Sequence, residues 1–229
     1  MKDLYEDFNS KYCYKNTNIL INKLDIREYK ELSKYEAKIT AAKSLGLRLK
    51  GITGNFDKKH YLSIHNYLFE DIYPFAGKLR EENISKGEFR FASFEYVEPE
   101  LERILEQLKK ENFLEGTSKK QLAERLAYYL SELNVLHPFR EGNGRSTRIW
   151  LNAILKKELL MVADWSRINK DAYLSAMERS PINSLEIKIL LKEALTNEFE
   201  DIEVYMKGID ASYFYEGYNT YSTKELINN

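Results

Sequence analysis

Residues 118–155 read SKKQLAERLAYYLSELNVLHPFREGNGRSTRIWLNAIL. Leucine and other apolar residues recur at three- and four-residue spacings up to His137, which is typical of an amphipathic helix. Pro138 ends that helix, since proline cannot continue it. After a glycine-containing loop, a second apolar pattern of helical period continues to about Leu160. The stretch therefore predicts two helices joined by a short loop, and the rest of the fold is expected to pack around them.

The joining loop, HPFREGNGRSTR at residues 137–148, has the composition of an anion site. Gly142 and Gly144 allow the backbone to turn sharply and leave its amides uncovered. Amides at the start of a helix bind phosphate oxygens. Arg145 and Arg148 are three residues apart on that helix, so both side chains can reach the same polyphosphate. The loop therefore predicts a polyphosphate-binding nest.

Two further loop residues could supply chemistry beside that nest. Glu141 offers the hard carboxylate oxygen that Mg²⁺ prefers. His137 is the only side chain of the loop that can act as a base near neutral pH. Phe139, apolar between polar neighbours, is expected to anchor the loop to the core. The alternative is a plain turn with solvated arginines, which would require all these residue types to coincide by chance.

The composition fits a soluble globular protein, because 43% of the 229 residues are hydrophobic and 31% are charged. The net charge of -1 gives no overall attraction to nucleic acid or to an anionic membrane. Cys13 is the only cysteine, so it forms no internal disulfide. The longest apolar run, residues 159–163, is far shorter than the ~20 residues that span a bilayer. We therefore expect a cytoplasmic protein, with delivery into another cell by a secretion system left open.

The remaining segments predict an all-α fold with one short hairpin. Apolar spacing and capping patterns predict helices at 57–73, 99–112, 183–199 and 210–220, and a helical layer within 1–50. Residues 84–91 predict a β-hairpin with its turn near Gly87, the only place where strands are expected. His60 and His65 are five residues apart and match no metal-binding pattern, so both are expected to be structural. The expected organisation is an N-terminal layer at 1–55, a core at 56–200 and a C-terminal helical segment at 201–229.

The loop resembles the motif of the Fic family, H-x-F-x-(D/E)-G-N-G-R-x-x-R, with every specified position matched and Glu141 in the acidic place. Upstream, FEDIYPFAG at 69–77 resembles the segment before the family's flap, with Phe75 where tryptophan is more usual. The resemblance covers about residues 60–165. It implies a Fic-type helical bundle that transfers AMP from ATP, with Mg²⁺ or Mn²⁺, to a Ser, Thr or Tyr hydroxyl of a target protein or of the chain itself.

The resemblance also implies a role for each matched residue. His137 would accept the proton of the attacking hydroxyl, and Glu141 would hold the metal ion. Three loop residues would cradle the phosphates: Gly142, Asn143 and Gly144. Arg145 would stabilise the leaving pyrophosphate, and Arg148 would hold the γ-phosphate. The flap residues Ile84, Ser85, Lys86 and Gly87 would align the target by adding a strand to its backbone.

A second segment, SYFYEG at residues 212–217, resembles the family's inhibitory motif (S/T)-x-x-x-E-(G/N), in Ser212, Glu216 and Gly217. The expected inhibition is electrostatic, since Glu216 would pair with Arg148 and exclude the γ-phosphate. The N-terminal segment offers no such motif, because Ser33-Lys34-Tyr35-Glu36 has the wrong spacing. Release of the helix would expose tyrosines for automodification: Tyr213, Tyr215 and Tyr218. The alternative interpretation of residues 212–217 is an ordinary amphipathic helix without an inhibitory role.

Other functions remain open at this stage. The same site could remove AMP from a modified protein, with Glu216 orienting water. It could transfer a different nucleotide, phosphate or phosphocholine, or it could bind nucleotide without catalysis. Control of the helix by a homo-oligomer also stays open, as does the identity of the target protein. The chain has no GxxxxGK[ST] sequence, which argues against a P-loop NTPase.

Overall fold

The computed structural model describes residues 10–51, 53–87, 89–218 and 223. Within this part of the chain the fold is all-α, as predicted. Its helices are α1 (Tyr29–Lys50), α2 (Lys58–Phe69), α3 (Val97–Lys110), α4 (Lys119–Leu136), α5 (Asn143–Leu159), α6 (Lys170–Arg179), α7 (Leu185–Ala194) and α8 (Ile202–Tyr215). Two antiparallel pairs of very short strands accompany them: β1 (Ser85–Lys86) with β2 (Phe89–Arg90), and β3 (Val162–Ala163) with β4 (Leu195–Thr196).

The predicted helix pair is present at the centre of the fold. The Ser118 hydroxyl accepts the backbone N–H of Gln121 at 3.4 Å, so α4 begins at the predicted cap. The apolar faces of α4 and α5 meet in a core that contains Trp150 and Tyr129, both without exposed surface. Helices α2 and α8 pack on α5, α1 packs on α2 and α8, and α3 and α7 pack on α4. Among the described residues, no helix is both long and apolar enough to cross a bilayer.

The flap hairpin is confirmed, with Ser85 opposite Arg90 and Gly87 in the left-handed region at φ 57°. The expectation that it holds the only strands is wrong, because β3 pairs with β4. This second pair forms because α7 ends at Ala194, before the predicted end at residue 199. The extended chain after α7 then lies against the buried segment that follows α5. Neither strand has a turn signal of its own, so the sequence pattern does not show the pairing.

Three helix predictions need correction, and one helix was not predicted. From residue 10 onward, the N-terminal layer is helical only from Tyr29, because the Asn22 side chain accepts the backbone N–H groups of Leu24 and Ile26 and stabilises a loop. Helix α2 ends at Phe69, where the chain turns, before the predicted end at residue 73. Helix α6 was not predicted. Helix α8 spans 202–215 and not 210–220, since Asp201 caps its start.

Candidate nucleotide-binding and catalytic site

The loop between α4 and α5 has the backbone that its glycines predict. Gly142 lies in the left-handed region at φ 75°, and a Cβ atom there would lie 2.1 Å from the Phe69 ring. Asn143 uses its side chain inside the loop, where it accepts from the Phe139 N–H and donates to the Phe139 carbonyl, each at 2.8 Å. These two bonds hold the loop in shape and leave the backbone N–H groups of the first turn of α5 as the groups that could bind phosphate.

Phe139 anchors the loop as predicted, since it has no exposed surface and stacks on the His65 ring with 3.7 Å between centroids. His65 Nδ1 accepts the Gly77 N–H at 2.9 Å, so Nε2 donates to the Glu141 carbonyl at 3.0 Å. Burial lowers the pKa of His65 to about 3, so the ring is neutral. His65 is therefore a structural residue that supports the backbone of the loop.

His137 follows the last residue of α4 and has left-handed backbone angles, φ 46° and ψ 63°. Its Nδ1 lies 3.3 Å from the Asn134 carbonyl, which favours the neutral tautomer that carries its lone pair on Nε2. The ring stacks on Phe91, just after the flap, with 3.8 Å between centroids. Burial lowers the pKa of His137 to about 3, so at pH 7 the imidazole is in its neutral form.

Arg80 holds the backbone of His137 in place, and this role was not predicted from the sequence. The Arg80 guanidinium is buried and donates to the carbonyl oxygens of His137 at 2.8 Å and of Leu136 at 3.1 Å. It also donates to the carbonyl of Glu82 at 2.7 Å. Arg80 therefore joins the base of the flap to the end of α4, where the carbonyl groups lack helical partners. Nothing in its sequence neighbourhood distinguishes it from a surface arginine.

Arg145, one of the two arginines predicted to bind phosphate, is surrounded by carboxylates. Its guanidinium lies 2.6 Å from Glu36 on α1, 2.6 Å from Glu216 at the end of α8 and 3.3 Å from Glu141. Glu36 is buried and accepts hydrogen bonds from the hydroxyls of Tyr73 and Tyr218. Glu36 was not predicted, because it does not fit the spacing of the inhibitory motif and a lone acid in an amphipathic helix gives no other signal.

Arg148 has a different set of partners, most of which come from α8. It donates to the Ser212 hydroxyl at 2.9 Å from Nε and to Glu216 at 2.7 Å from Nη2. The predicted pairing of Glu216 with Arg148 is therefore present, and the same carboxylate also binds Arg145. A Cβ atom at Gly144 would lie 2.9 Å from Glu216 Oε1, so the glycine gives the carboxylate room to reach both arginines.

Glu141 lies beside the nest and accepts the N–H of Gly142 at 2.8 Å. Burial and the negative charges of Glu36 and Glu216 raise its pKa to about 7, while Arg145 acts in the opposite direction. The described residues contain no group of three or more His, Cys, Asp or Glu side chains that could hold a metal ion. A lone carboxylate beside a phosphate nest fits Mg²⁺, which is usually held by one or two carboxylates and the phosphates of the substrate.

The remaining predicted residues are placed as follows. In the flap, Ile84 is buried, while Lys86 and Gly87 are exposed. Tyr213 and Tyr215 are buried, and their hydroxyls contact Thr40 and the Ile168 carbonyl, respectively. With α8 in this position, neither hydroxyl is available for modification.

Comparisons with known proteins agree with this architecture. A family model described as the Fic/DOC family matches residues 55–155. Protein adenylyltransferase VbhT of Bartonella schoenbuchensis is 35% identical over 195 residues, which are 84% of this chain and 40% of that protein. The protein named "Probable protein adenylyltransferase Fic" of Escherichia coli is 30% identical over 203 residues, covering 89% of this chain and 100% of that protein.

Solved structures give the same result. The BepC protein of Bartonella tribocorum, with bound AMPPNP, superimposes with a TM-score of 0.73 and 26% identity over 81% of this chain and 96% of that chain. An N-terminal Fic domain from Bartonella quintana with bound ADP also gives a TM-score of 0.73 and 26% identity, over 81% of this chain and 94% of that chain. Since the E. coli relative is matched over its whole length, the comparison covers more than an isolated motif. The chain belongs to the Fic/DOC family.

Proposed function

We propose that the chain is a protein adenylyltransferase, which moves AMP from ATP to a hydroxyl of a target protein and is held inactive by α8. The activity is supported by the names of two relatives, Protein adenylyltransferase VbhT of Bartonella schoenbuchensis and "Probable protein adenylyltransferase Fic" of E. coli. The single observation that carries the regulatory part is the position of Glu216. Its carboxylate bridges Arg145 and Arg148, the two cations beside the phosphate nest.

The proposed reaction uses the base and the nest that the loop brings together. His137 Nε2 accepts the proton of a Ser, Thr or Tyr hydroxyl while that oxygen attacks the α-phosphorus of ATP. The bond between the α-phosphorus and the bridging oxygen to the β-phosphate breaks, and pyrophosphate leaves with that oxygen. Backbone N–H groups at the start of α5 and the guanidinium of Arg145 stabilise the charge that develops on the phosphate oxygens.

Glu141 is the residue that would hold Mg²⁺ or Mn²⁺, together with substrate phosphates. The ion would supply charge neutralisation on those phosphates. Arg80 keeps the end of α4 and the base of the flap together, so it maintains the position of His137. Lys86 and Gly87 are exposed, and in this proposal their backbone would pair with an extended segment of the target.

The proposed inhibition is competition for the two arginines. With Glu216 in place, Arg148 has a carboxylate at 2.7 Å and a hydroxyl at 2.9 Å, so the γ-phosphate lacks its cation. ATP would then bind with its α-phosphate misaligned, or not bind at all. Movement of α8 would release the arginines and the tyrosines of α8 together.

The test compares ATP labelled at the α-phosphate with ATP labelled at the γ-phosphate, using wild type and Glu216→Gly. We expect label on protein only from the α-phosphate, and more with Glu216→Gly. His137→Ala in the Glu216→Gly background should lose at least 90% of the transfer, because removal of a positioned base costs ~10²–10⁴-fold. Melting curves of both variants check that the fold is retained.

Each other outcome identifies a different function. Label from the γ-phosphate alone would show phosphoryl transfer. Removal of AMP from a pre-modified protein by wild type but not by Glu216→Gly would show a hydrolase that uses Glu216. Bound nucleotide without label on protein would show a nucleotide-sensing module.

A further inference from the structure

A cavity of about 680 Å³ lies between the C-terminal half of α1, the length of α5 and the face of α8 that runs from Val204 to Tyr213. Helix α5 contributes one face, with Ile149, Asn152, Ala153 and Lys156 at helical spacing. None of the loop residues 137–144 lines the cavity, so it is separate from the phosphate nest, although Arg145 and Arg148 form part of its wall. Its volume is that of a site for a drug-sized molecule, about 300–1,000 Å³.

The charges that line this cavity have one sign. Five cationic side chains line it, and no Asp or Glu of the described chain does: Arg48, Arg145, Arg148, Lys156 and Lys157. Glu216 neutralises the two inner arginines, and Glu158 lies 3.2 Å from Lys157. No carboxylate of the described residues lies within ion-pair distance of Arg48 or Lys156. The cavity is therefore an apolar space with uncompensated positive charge in its wall.

Buried polar atoms around the cavity lack partners in the described structure. Trp165 is 3% exposed, and its Nε1–H has no hydrogen-bond acceptor. The hydroxyl of Tyr205 and Nε of Arg48 are also without partners, and the Arg48 guanidinium lies over the Tyr205 ring at 5.1 Å. All three residues line the cavity. An unsatisfied buried polar group costs about 1–3 kcal/mol, so the wall of the cavity is locally destabilised at these residues.

Gly208 gives a separate reason to regard this space as a site. It lies in the middle of α8, where glycine costs about 1 kcal/mol relative to alanine. Its φ is not in the left-handed region, and a Cβ atom there would meet only Trp165 Cδ1, at the ordinary distance of 3.7 Å. Neither backbone conformation nor packing requires glycine here. Its effect is to leave the cavity wide between α8 and Trp165.

We propose that this cavity binds an amphipathic organic anion, with its apolar body against Leu47, Ile149 and Val204 and its acidic head at Arg48 and Lys156. The walls come from α1, α5 and α8, so a bound molecule contacts α8 and the core together. Binding therefore favours the docked position of α8. The binding site itself stands on the geometry alone, and only its effect on catalysis rests on the proposed function.

The test uses two fluorescent probes with the same aromatic body. 8-Anilinonaphthalene-1-sulfonate carries a sulfonate, and N-phenyl-1-naphthylamine lacks it. With the full chain we expect saturable binding of one sulfonate probe per molecule, at least tenfold tighter than the neutral probe. Arg48→Gln combined with Lys156→Gln should bring the affinity for the sulfonate close to that for the neutral probe. Equal affinities in the wild type, or no saturable binding, would overturn the proposal.

Matched substitutions locate the probe. Gly208→Leu fills the cavity and should abolish binding, while Gly208→Ala, whose Cβ has room, should retain it. If Gly208→Leu fails to fold by circular dichroism, Ala153→Leu fills the cavity from α5 instead. Unchanged binding in a folded filling variant would show that the site is elsewhere. Since fluorescence is independent of catalysis, this failure is distinguishable from failure of the labelled-ATP experiment.

Discussion

Arg145 and Arg148 lie one turn apart on α5, yet they have different electrostatic surroundings. Arg145 contacts three carboxylates, which belong to three parts of the chain: Glu36 of α1, Glu141 of the loop and Glu216 at the end of α8. Arg148 contacts one carboxylate, Glu216, within the part of the chain that the structure describes. Removal of α8 would therefore leave Arg145 with two carboxylates and Arg148 with none.

The difference indicates how one helix could regulate the site without dismantling it. A buried guanidinium without an anionic partner is costly, so Arg148 would need a replacement for Glu216, and under the proposed function the γ-phosphate would be that replacement. Glu36 would remain a partner of Arg145 after α8 moves, since it belongs to α1. Arg145, in the first turn of α5, would then keep its position in the site at all times. Arg148, in the second turn, would be the residue that α8 regulates.

The largest expected effect on the rate of transfer comes from loss of the contact between Glu216 and Arg148. Glu216→Gly should raise the rate of transfer about 10- to 150-fold, because a charge-assisted hydrogen bond contributes about 1.5–3 kcal/mol and each 1.4 kcal/mol is a factor of ten. Adding Arg148→Ala should cancel the gain, since Glu216 is expected to act through that arginine. The measurement is the initial rate against ATP concentration for wild type and both variants. A Glu216→Gly variant no faster than wild type at any ATP concentration would show that α8 is not an inhibitor.

The second largest effect on the rate of transfer is expected from loss of the contact between Glu36 and Arg145. In the Glu216→Gly background, Glu36→Gln should lower the rate of transfer about tenfold, because Arg145 loses the buried charge that fixes its guanidinium and about 1.4 kcal/mol is enough for this factor. Steady-state rates at saturating ATP measure it. Glu31→Gln, on an exposed position of the same helix, is the matched control and should leave the rate unchanged. Equal rates for the Glu36 and Glu31 variants would refute a positioning role for Glu36.

A smaller effect concerns stability and pH. Because the pKa of Glu141 is raised to about 7 from an ordinary value of 4.5, folding favours its protonated form. Its contribution to stability is complete below pH 4.5 and is lost as the pH rises through 7. Glu141→Gln should therefore raise the melting temperature at pH 8 by several degrees and change it little at pH 4.5, since about 1–3 kcal/mol is involved and each kcal/mol shifts the midpoint by about 2–4 °C.

The exposed Glu106→Gln on α3 is the control for this measurement and should show no such difference between the two pH values. A gain for Glu141→Gln that is the same at both pH values would mean that the titration of Glu141 does not determine it.

The smallest expected signal is modification of the chain by itself. Tyr213 and Tyr215 are buried with their hydroxyls bonded, so wild type should carry AMP on less than about one chain in ten, given the population ratio above. Glu216→Gly should carry AMP within residues 205–221, because tethering raises the effective concentration of these hydroxyls. Peptide mapping by mass spectrometry measures both. AMP found only outside this segment would contradict the assignment to Tyr213, Tyr215 and Tyr218.

The sequence alone determined α4, the loop and α5, together with the flap hairpin. These elements depend on neighbouring residues: the cap at Ser118, the stop at Pro138 and the positive φ that Gly142 and Gly87 allow. The family motif lies entirely within such local structure, which is why its arginines and His137 could be named in advance. The pairing of Glu216 with Arg148 followed from a second short motif, and the structure contains it.

Only the tertiary structure decided what surrounds these residues. Glu36 and Arg80 are single charged residues whose importance comes from distant partners, Arg145 and the carbonyl of His137. The β3–β4 pair and the cavity between α1, α5 and α8 likewise arise where segments far apart in the chain meet. Local propensity and periodicity carry no information about such meetings. They are set by how the helices pack, because a buried charge requires a counter-charge from whichever helix lies against it.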